Sequence, residues 1–431
     1  MNILFISKKG LASNLAFLLK KEGHHVKFFM DDRKLKGVFD NMVEKTKNWK
    51  RELFWVGKEG LIVFDDNGYG KTQDRLRKEG YSVFGGCESA DRLEYDREFT
   101  HEIFGKYNIE TNDLKTFKNV AHAVSYVKNN PAQYIIKREG DNSKFVTYVG
   151  VCEDGKDVLE ILEKYSQNRR LAKESISLQI KASGIEIGVG RYFNGDDWVG
   201  PIEMNLEHPH LFAGSIGPFT DEMGTLAWYT ENENRIYTET LAKLKPFLKE
   251  IKYKGDIEVN AIVNESGIYA LETTPRIGCP IVHIHSALHI SPWGELFKAV
   301  ADGKSYDLKY KEGYSVVFSV AVPPFPFQKH FKTNICDGLT IFMNNVTEED
   351  FKHIHLDEVG FNSETKSYYI TKNTEGFILY VTGHGQTVEA AREQALTIIK
   401  KIHIPKMFYR IDIGESFAKY EQKLLIDWGY L

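Results

Sequence analysis

The chain has 431 residues, of which 42% are apolar and 27% are charged, and its formal net charge is −4. These values are ordinary for a globular enzyme, and the length predicts two or three domains rather than one core. No acidic or basic tail and no extreme of charge points to nucleic acid or to a membrane surface as a partner.

The cysteines and the N-terminus indicate the compartment. The four cysteines are widely spaced and form no CxxC pair, which is typical of reduced thiols rather than of a zinc site. The segment MNILFISKK has no long apolar stretch of the kind found in signal peptides, and no later stretch approaches the length of a membrane span. We therefore expect a cytoplasmic protein, with a monomer and a homodimer both open.

Apolar patterning predicts a first domain over residues 1–95. A strand at Asn2–Ser7, a helix at Leu11–Glu22 and a strand at Val26–Met30 form a β-loop-α-β unit, the usual opening of a doubly wound sheet. Three more elements complete this prediction, namely a strand at Leu61–Phe64, a helix at Thr72–Glu79 and a strand at Tyr81–Phe84.

The rest of the chain is predicted as a central α+β domain over 96–310 and a C-terminal α+β domain over 311–431. The central strands are expected at Gln133–Lys137, Ser175–Gln179 and Ile185–Phe193, with one long amphipathic helix at Asn232–Glu250. The later elements are a helix at Ala287–Gly303, strands at Tyr368–Thr371 and Gly376–Val381, and a helix at Thr387–Lys401.

The segment GDIEVNAIVNESGIYALETTPRIG carries two carboxylates that apolar patterning does not explain. Alternation places Glu258 in the strand Gly255–Val263 and Glu272 in the strand Gly267–Thr274, joined by a short turn that makes the strands antiparallel neighbours. Both acids are then expected on one face, where they repel unless a cation such as Mg²⁺ lies between them. The alternative is two independent acids at the rim of a hairpin.

This segment resembles the metal-binding strand pair of the ATP-grasp ligases, written E…E-x-N, with Thr274 in the place of the Asn and Arg276 two residues later. Three further stretches are similar to phosphoribosylamine–glycine ligase, the glycinamide ribonucleotide synthetase of purine synthesis. They are RLRKEGYSVFGGCESADRLEYDREFTHEIFGKYNI after the first domain, GPFTDEMGT, and the tail VTGHGQTVEAAREQALTIIKKI followed by MFYRIDIGE.

The resemblance implies a fold and a cofactor set. The fold is an N-terminal doubly wound (pre-ATP-grasp) domain, an ATP-grasp core with a mobile lid at about 122–190, and a C-terminal ligase domain. ATP is expected with Mg²⁺ or Mn²⁺. The implied metal ligands are Glu258, Glu272 and Thr274, and the implied nucleotide contacts are Arg97, Lys137, Gln179, Ile180, Ala182 and Glu186.

The implied reaction joins a small-molecule carboxylate to an amine through an acyl phosphate. The resemblance assigns catalytic positions to Arg276 and to Lys144, which lies in the segment that would fold over the phosphates together with Gly140 and Ser143. The substrate end of the cleft is implied by Gly10, Gly217, Pro218, Thr220, Met223 and Gly224. The run Val282–His285 is interpreted as packing rather than as a second metal site.

Three departures from the family bear on the substrates. The phosphate loop is GDNSKFVTYVG where relatives have A-A-G-K-G-V, the first-domain loop is SKKGLASN where relatives have G-N-G-G-R-E-H, and Asp221-Glu222 replaces two glycines of GPFTDEMGT. The leading hypothesis is therefore a carboxylate–amine ligase on this scaffold, with possibly altered substrates. The authentic phosphoribosylamine–glycine ligase and a non-catalytic nucleotide-binding protein are the two alternatives.

Overall fold

The computed structural model describes residues 1–112, 114–138, 148–327, 335–373 and 375–431. The N-terminal elements are β1 (Asn2–Ser7), α1 (Asn14–Lys21), β2 (His25–Met30), β3 (Glu44–Lys45), α2 (Leu53–Val56), β4 (Leu61–Phe64), α3 (Gly70–Lys78) and β5 (Val83–Phe84). The strands pair in parallel in the order β3-β2-β1-β4-β5. Leu15 of α1 belongs to the core on one sheet face and Leu76 of α3 to the core on the other, so the sheet is doubly wound.

A second, smaller sheet follows the first domain. Its elements and those leading to it are α4 (Glu88–Tyr95), α5 (Arg97–Lys106), β6 (Leu114–Phe117), α6 (Val120–Asn129), β7 (Tyr134–Arg138), β8 (Tyr148–Val149), α7 (Lys156–Gln167) and β9 (Ile176–Ile180). The strand order is β6-β9-β7-β8. Tyr134 and Ile136 of β7 pack with Val127 of α6 and Leu162 of α7, which gives this unit a core of its own.

Long antiparallel strands build the centre of the molecule. The elements are β10 (Ile185–Asn194), β11 (Trp198–Glu207), β12 (His210–Phe212), β13 (Ile216–Phe219), β14 (Gly224–Thr230), α8 (Arg235–Glu239), α9 (Lys245–Glu250), β15 (Lys254–Asn264), β16 (Gly267–Thr274), α10 (Ile281–Leu288) and α11 (Trp293–Ala301). The strands β12 and β13 pair only with each other and form a separate hairpin.

The C-terminal elements extend the same architecture. They are β17 (Tyr314–Ala321), β18 (Thr340–Met343), α12 (Glu348–Phe351), β19 (Ile354–Leu356), β20 (Val359–Asn362), β21 (Ser367–Ile370), β22 (Phe377–Gly385), α13 (Val388–Ile399), β23 (Ile402–His403) and α14 (Gln422–Asp427). One eight-stranded sheet runs β16-β15-β10-β11-β14-β17-β22-β19, and a four-stranded sheet runs β20-β21-β18-β23. The large sheet therefore joins strands from before and after residue 310.

Two helices that the sequence predicts as continuous are each interrupted in the structure. The helix expected at Asn232–Glu250 is divided into α8, a 3₁₀ turn at Leu241–Leu244 and α9. Thr240 lies outside helical geometry with φ −122° and ψ −93°, and Pro246 begins the last turn, where its ring is tolerated. The helix expected at Ala287–Gly303 is instead α10 and α11, because Pro292 stands at the start of α11 in an extended conformation.

The mixed α and β fold with an N-terminal doubly wound unit and a central antiparallel unit is as predicted from the sequence. Thr387 caps α13, as expected, by accepting a hydrogen bond from the backbone N–H of Ala390. Among the helices in the described residues, none is both long enough and apolar enough to span a bilayer.

Candidate active site

The acidic hairpin forms as predicted, with β15 and β16 antiparallel. Glu258 lies opposite Thr274, and Asn260 lies opposite Glu272. Because residues directly opposite in an antiparallel pair project from the same face, all four side chains share one face of the sheet. Glu258 is buried at 6% exposure, whereas Glu272 is exposed at the open end of that face.

Two glycines of the neighbouring strand β10 make room for this cluster. A Cβ at Gly188 would lie 2.4 Å from Oε1 of Glu258, and a Cβ at Gly190 would lie 2.8 Å from Oε2 of Glu203. Carboxylates from the strands on either side therefore lie over the backbone of β10. Nδ2 of Asn205 joins them, since it donates to Oε1 of Glu258 at 2.9 Å and to Oε1 of Glu203 at 2.6 Å.

The electrostatics of this face favour a bound cation. Burial, together with the carboxylates of Glu203 and Glu207, raises the pKa of Glu258 well above its ordinary value. Nδ2 of Asn260 donates to Glu207 at 3.1 Å, while its Oδ1 is buried and accepts no hydrogen bond from the described residues. A divalent cation would relieve the repulsion and give that oxygen a partner.

The residues present therefore fit Mg²⁺, a hard cation that prefers oxygen ligands. Within the described ranges, no three His, Cys, Asp or Glu side chains are arranged to hold a metal by themselves. Mg²⁺ is commonly held by one or two protein carboxylates and by the phosphates of its substrate. Glu258 and Glu272 suit that arrangement, with the amide oxygen of Asn260 as an addition that sequence reasoning missed.

Lys137, on strand β7 of the small sheet, lies within electrostatic reach of this acidic face. Burial lowers the pKa of its ammonium group, Glu272 and Glu186 raise it, and Arg97 lowers it. The other three charged side chains come from separate segments, and each lies within electrostatic reach of Lys137. The arrangement brings together four of the residues predicted to contact the nucleotide or its metal.

His101 belongs to the same group although no sequence signal singled it out. It lies on α5, one turn after Arg97, and its Nδ1 is 3.4 Å from Oγ1 of Thr111. Burial, Lys137 and Arg97 all lower the pKa of its imidazole, which is therefore neutral at pH 7. A neutral ring at this position adds a hydrogen-bonding group without adding charge.

The predicted adenine segment begins at the end of β9. Gln179 is buried between β6 and β7, opposite Leu114 and Ile135, and its Oε1 is buried without a partner in the described parts of the chain. Ile180 is 41% exposed, and Ala182 follows in a half-buried loop. Their main-chain contacts to adenine stay a prediction. Lys144 lies outside the described residues, as do Gly140 and Ser143.

The predicted substrate loop is held by its own packing. Gly217 and Pro218 lie in β13, and Oγ1 of Thr220 donates to the carbonyl of Pro209 at 2.7 Å. Met223 is fully buried. A Cβ at Gly224 would lie 2.4 Å from the carbonyl oxygen of Val317, so only glycine permits this close approach to β17.

The C-terminal YRIDIG segment forms hydrogen bonds with this loop, and the sequence did not predict them. Arg410 is 3% exposed, and its Nη1 donates to the carbonyl of His210 at 3.0 Å. Oδ2 of Asp412 accepts the backbone N–H of Gly214 at 2.8 Å, and the backbone N–H of Gly414 donates to Nε2 of His208 at 3.1 Å. The tail motif therefore positions the loop from about 200 residues away in sequence.

Arg276 joins the first domain to the acidic hairpin. Its Nε lies 3.2 Å from Oε1 of Glu94, and its Nη1 donates to the carbonyl of Ile277 at 3.0 Å. Although burial lowers it, the carboxylates of Glu94 and Asp66 raise the pKa of Arg276 above its ordinary value. The guanidinium is thus engaged by protein groups, and its predicted catalytic role stays a prediction.

Comparisons with known proteins agree with this geometry. Residues 95–281 match the family described as phosphoribosylglycinamide synthetase, ATP-grasp (A) domain. The chain is 23% identical over 389 residues to phosphoribosylamine–glycine ligase of Clostridium acetobutylicum, covering 88% of each, and 26% identical over 397 residues to that of Helicobacter pylori J99, covering 87% of this chain and 85% of the relative.

Solved structures of a phosphoribosylamine–glycine ligase and of a biotin carboxylase share the fold of this chain. Phosphoribosylamine–glycine ligase of Thermotoga maritima superposes with a TM-score of 0.69 at 20% identity, covering 96% of this chain and all of that one. Biotin carboxylase of Campylobacter jejuni gives 0.64 at 10% identity, covering 93% of this chain and 91% of that one.

The match over residues 95–281 identifies this part of the chain as an ATP-grasp domain similar to that of phosphoribosylglycinamide synthetase, and the fold of the chain as a whole is that of the ligase from Thermotoga maritima. Over most of its length the chain is a divergent relative that resembles phosphoribosylamine–glycine ligase. The resemblance expected from the sequence is confirmed.

Proposed function

We propose that the protein is an ATP- and Mg²⁺-dependent ligase that joins a carboxylate to an amine through an acyl phosphate, with substrates that differ from those of phosphoribosylamine–glycine ligase. The observation that carries the proposal is the position of Lys137. The lysine of the small sheet lies within electrostatic reach of Glu272 and Glu186 of the large sheet and of Arg97. Cations and carboxylates opposed across two sheets suit a metal–triphosphate between them.

In the proposed reaction, the protein contributes by positioning the substrates and by placing charged side chains near the phosphates. An oxygen of the substrate carboxylate attacks the γ-phosphorus of ATP, the bond from that phosphorus to the bridging oxygen breaks, and ADP leaves. The amine then attacks the carbonyl carbon of the acyl phosphate, the carbon–oxygen bond to phosphate breaks, and phosphate leaves as the amine loses a proton. Lys137 and Arg97 hold the transferring phosphoryl group, while the small sheet keeps water from the acyl phosphate.

Glu258 and Glu272, with Asn260 beside them, would hold Mg²⁺. The bound cation would neutralise charge on the phosphates. Glu186, exposed at the start of β10, faces the same cleft and is proposed to contact the ribose.

Phosphate release by the purified chain tests the proposal. ATP and Mg²⁺ are supplied with a panel of amino acids paired with a panel of amines, and products are followed by mass. The proposal requires phosphate release that depends on both substrates and a new amide mass. ATP binding without release for any pair would favour a non-catalytic nucleotide-binding protein instead.

The authentic phosphoribosylamine–glycine ligase is the second candidate. It is favoured by the length of the match, since the relatives of that name from Clostridium acetobutylicum and Helicobacter pylori J99 are covered over 88% and 85% of their chains. Freshly generated phosphoribosylamine with glycine decides between the two. Turnover of that pair in preference to every other pair would make this the function.

A further inference from the structure

A network of hydrogen-bonded side chains connects Glu258 with helix α10. Nδ2 of Asn205 donates to Oε1 of Glu258 at 2.9 Å and to Oε1 of Glu203 at 2.6 Å. Oε2 of Glu203 lies 3.0 Å from Nε2 of His285, and Nδ1 of that ring lies 3.1 Å from the hydroxyl of Tyr192. All of these side chains are buried. We call them the polar network.

The chemistry of the groups fixes the direction of these hydrogen bonds. A carboxylate only accepts, so the amide nitrogen of Asn205 must face both acids, and Nε2 of His285 must donate to Glu203. Each oxygen of Glu203 then has one donor, as a buried carboxylate requires. The amide of Asn205 is thus held from one side by Glu203, and it holds Glu258 on the other.

The network crosses strand β10, which lies between β15 and β11 in the large sheet. A Cβ at Gly188 would lie 2.4 Å from Oε1 of Glu258 and 2.6 Å from both amide atoms of Asn205. A Cβ at Gly190 would lie 2.8 Å from Oε2 of Glu203. Side chains from β11 and β15 therefore meet across β10 because that strand carries glycine at both crossing points.

The ring of His285 is held between two other rings. It lies nearly parallel to those of Tyr229 and His289, with centroids 5.6 and 5.8 Å away. Asp256 is a second carboxylate within electrostatic reach of this imidazole, besides Glu203. The packing of α10 therefore sets the direction in which Nε2 of His285 donates.

His283, two residues earlier on α10, has a different environment. Residues two apart lie on opposite sides of a helix, and the ring of His283 stacks on those of His355 and Tyr380, with centroids 4.9 and 4.4 Å away. Its Nε2 is buried and has no hydrogen-bond partner among the residues that the structure describes. Packing accounts for His283, but it does not account for the two hydrogen bonds of His285.

We propose that His285 and Glu203 are positioning residues for the proposed metal site. By holding the amide of Asn205, they fix the orientation in which the carboxylate of Glu258 meets Mg²⁺. The inference rests on the proposed function, and it extends the site to residues that touch neither the nucleotide nor the metal. Partners of this kind behind a metal ligand contribute about 10–100-fold to metal affinity.

Isothermal titration calorimetry on the full chain tests the inference through the Mg²⁺ dependence of nucleotide binding. The probe is adenylyl imidodiphosphate, an ATP analogue whose γ-phosphate is not transferred, titrated once with Mg²⁺ and once with EDTA. His285→Leu should reduce the gain in affinity that Mg²⁺ provides by ~10-fold or more, at an unchanged metal-free affinity. His285→Gln, which retains an N–H donor, should restore part of the gain. His283→Leu, on the same helix, is the control and should keep the full gain.

A second variant applies if His285→Leu does not fold. Asn205→Leu interrupts the network but leaves the pair of Glu203 and His285 intact, and a loss of ~10-fold or more is again expected. Where both variants fold, the combined variant should lose no more than the larger single loss, because both changes act through one set of contacts.

An unchanged Mg²⁺ gain in His285→Leu or in Asn205→Leu would overturn the inference. So would an equal loss in His283→Leu, or a metal-free affinity that falls as far as the affinity with Mg²⁺. The proposed function is judged separately by ATP-dependent phosphate release. Turnover by the wild type, with a Mg²⁺ gain that survives both substitutions, would uphold the ligase and reject the positioning role. A Mg²⁺ gain that both substitutions reduce, without turnover of any substrate pair, would do the reverse.

Discussion

The pair formed by Arg276 and Glu94 makes a prediction that separates a structural role from a catalytic one. The resemblance assigns a catalytic position to Arg276, whereas the structure places its Nε 3.2 Å from Oε1 of Glu94. If the guanidinium mainly ties the acidic hairpin to helix α4, then Glu94→Gln and Arg276→Met should lower the thermal midpoint equally. The double variant should be no less stable than either single variant.

The expected loss of stability follows from the burial of the Arg276–Glu94 pair. The side chains are 18% and 23% exposed, and two unit charges 3.2 Å apart attract by about 5 kcal/mol at an effective dielectric constant near 20. Desolvation offsets much of this, but removal of one partner leaves the other charge buried, so a loss of about 2 kcal/mol is expected for each single variant. That loss corresponds to roughly 4–8 °C in the midpoint of a domain of about 200 residues.

Thermal denaturation followed by circular dichroism measures these midpoints, and an exposed pair on the same chain provides the control. Arg75 and Glu79 are 2.8 Å apart but 51% and 42% exposed. Glu79→Gln should therefore lower the free energy of unfolding by less than about 1 kcal/mol. Additive losses in the double variant would refute the pairing. A collapse of kcat in Arg276→Met with full activity in Glu94→Gln would instead favour the substrate role.

The remaining predictions concern the nucleotide site and pH. Glu272→Ala should abolish Mg²⁺-dependent phosphate release at an unchanged thermal midpoint, whereas Glu265→Ala, in the turn of the same hairpin, should be silent; wild-type turnover in the first variant would reject the metal assignment. Lys137→Met should weaken ATP by ~10-fold or more in a binding titration and AMP far less, because a charged contact to the phosphates is lost. Lys144→Ala should likewise weaken ATP more than AMP, and equal losses would remove it from the phosphate site. Burial lowers the pKa of His208 to about 4, so the neutral ring stabilises the fold above pH 6.5 and that contribution, about 3 kcal/mol, is lost as the pH falls from 6.5 towards 4. Chemical denaturation at pH 7.5 and pH 5 should show a smaller acid loss for His208→Gln than for the wild type, and parallel losses would contradict it.

Local patterning anticipated the elements whose signals are local. The strands around Glu258 and Glu272 were visible because apolar residues alternate on both sides of a turn. Alternation alone did not give the register, since a one-residue shift between Asn260 and Ala261 brings Glu272 onto the face of Glu258. The two long helices were overestimated because amphipathic periodicity continues across Thr240 and Pro292, where the backbone leaves helical geometry. Periodicity shows which face of a helix is apolar. Whether the helix is interrupted depends on the backbone conformation of a single residue.

The neighbours of each predicted site residue were beyond the reach of local pattern. Lys137 was expected at a strand end, but its approach to Glu272 and Glu186 depends on how the small sheet packs over the large one. No sequence signal distinguishes Asn260 from the other residues of its strand. The pairing of β15 with β16 places it opposite Glu272. Arg410 and Asp412 matched a family motif without indicating that they fasten the loop at 208–224.

The sequence by itself determined the class of fold, the family and the residue types of the nucleotide site, because strand alternation, turn residues and short motifs are properties of neighbouring positions. The tertiary structure alone decided which charges meet. Glu203 lies against Glu258, Oδ2 of Asp65 accepts the backbone N–H of Ala12, and Arg276 pairs with Glu94. Charges separated by tens to hundreds of residues interact only once packing brings them together in a medium of low dielectric constant, and no local pattern records that distance.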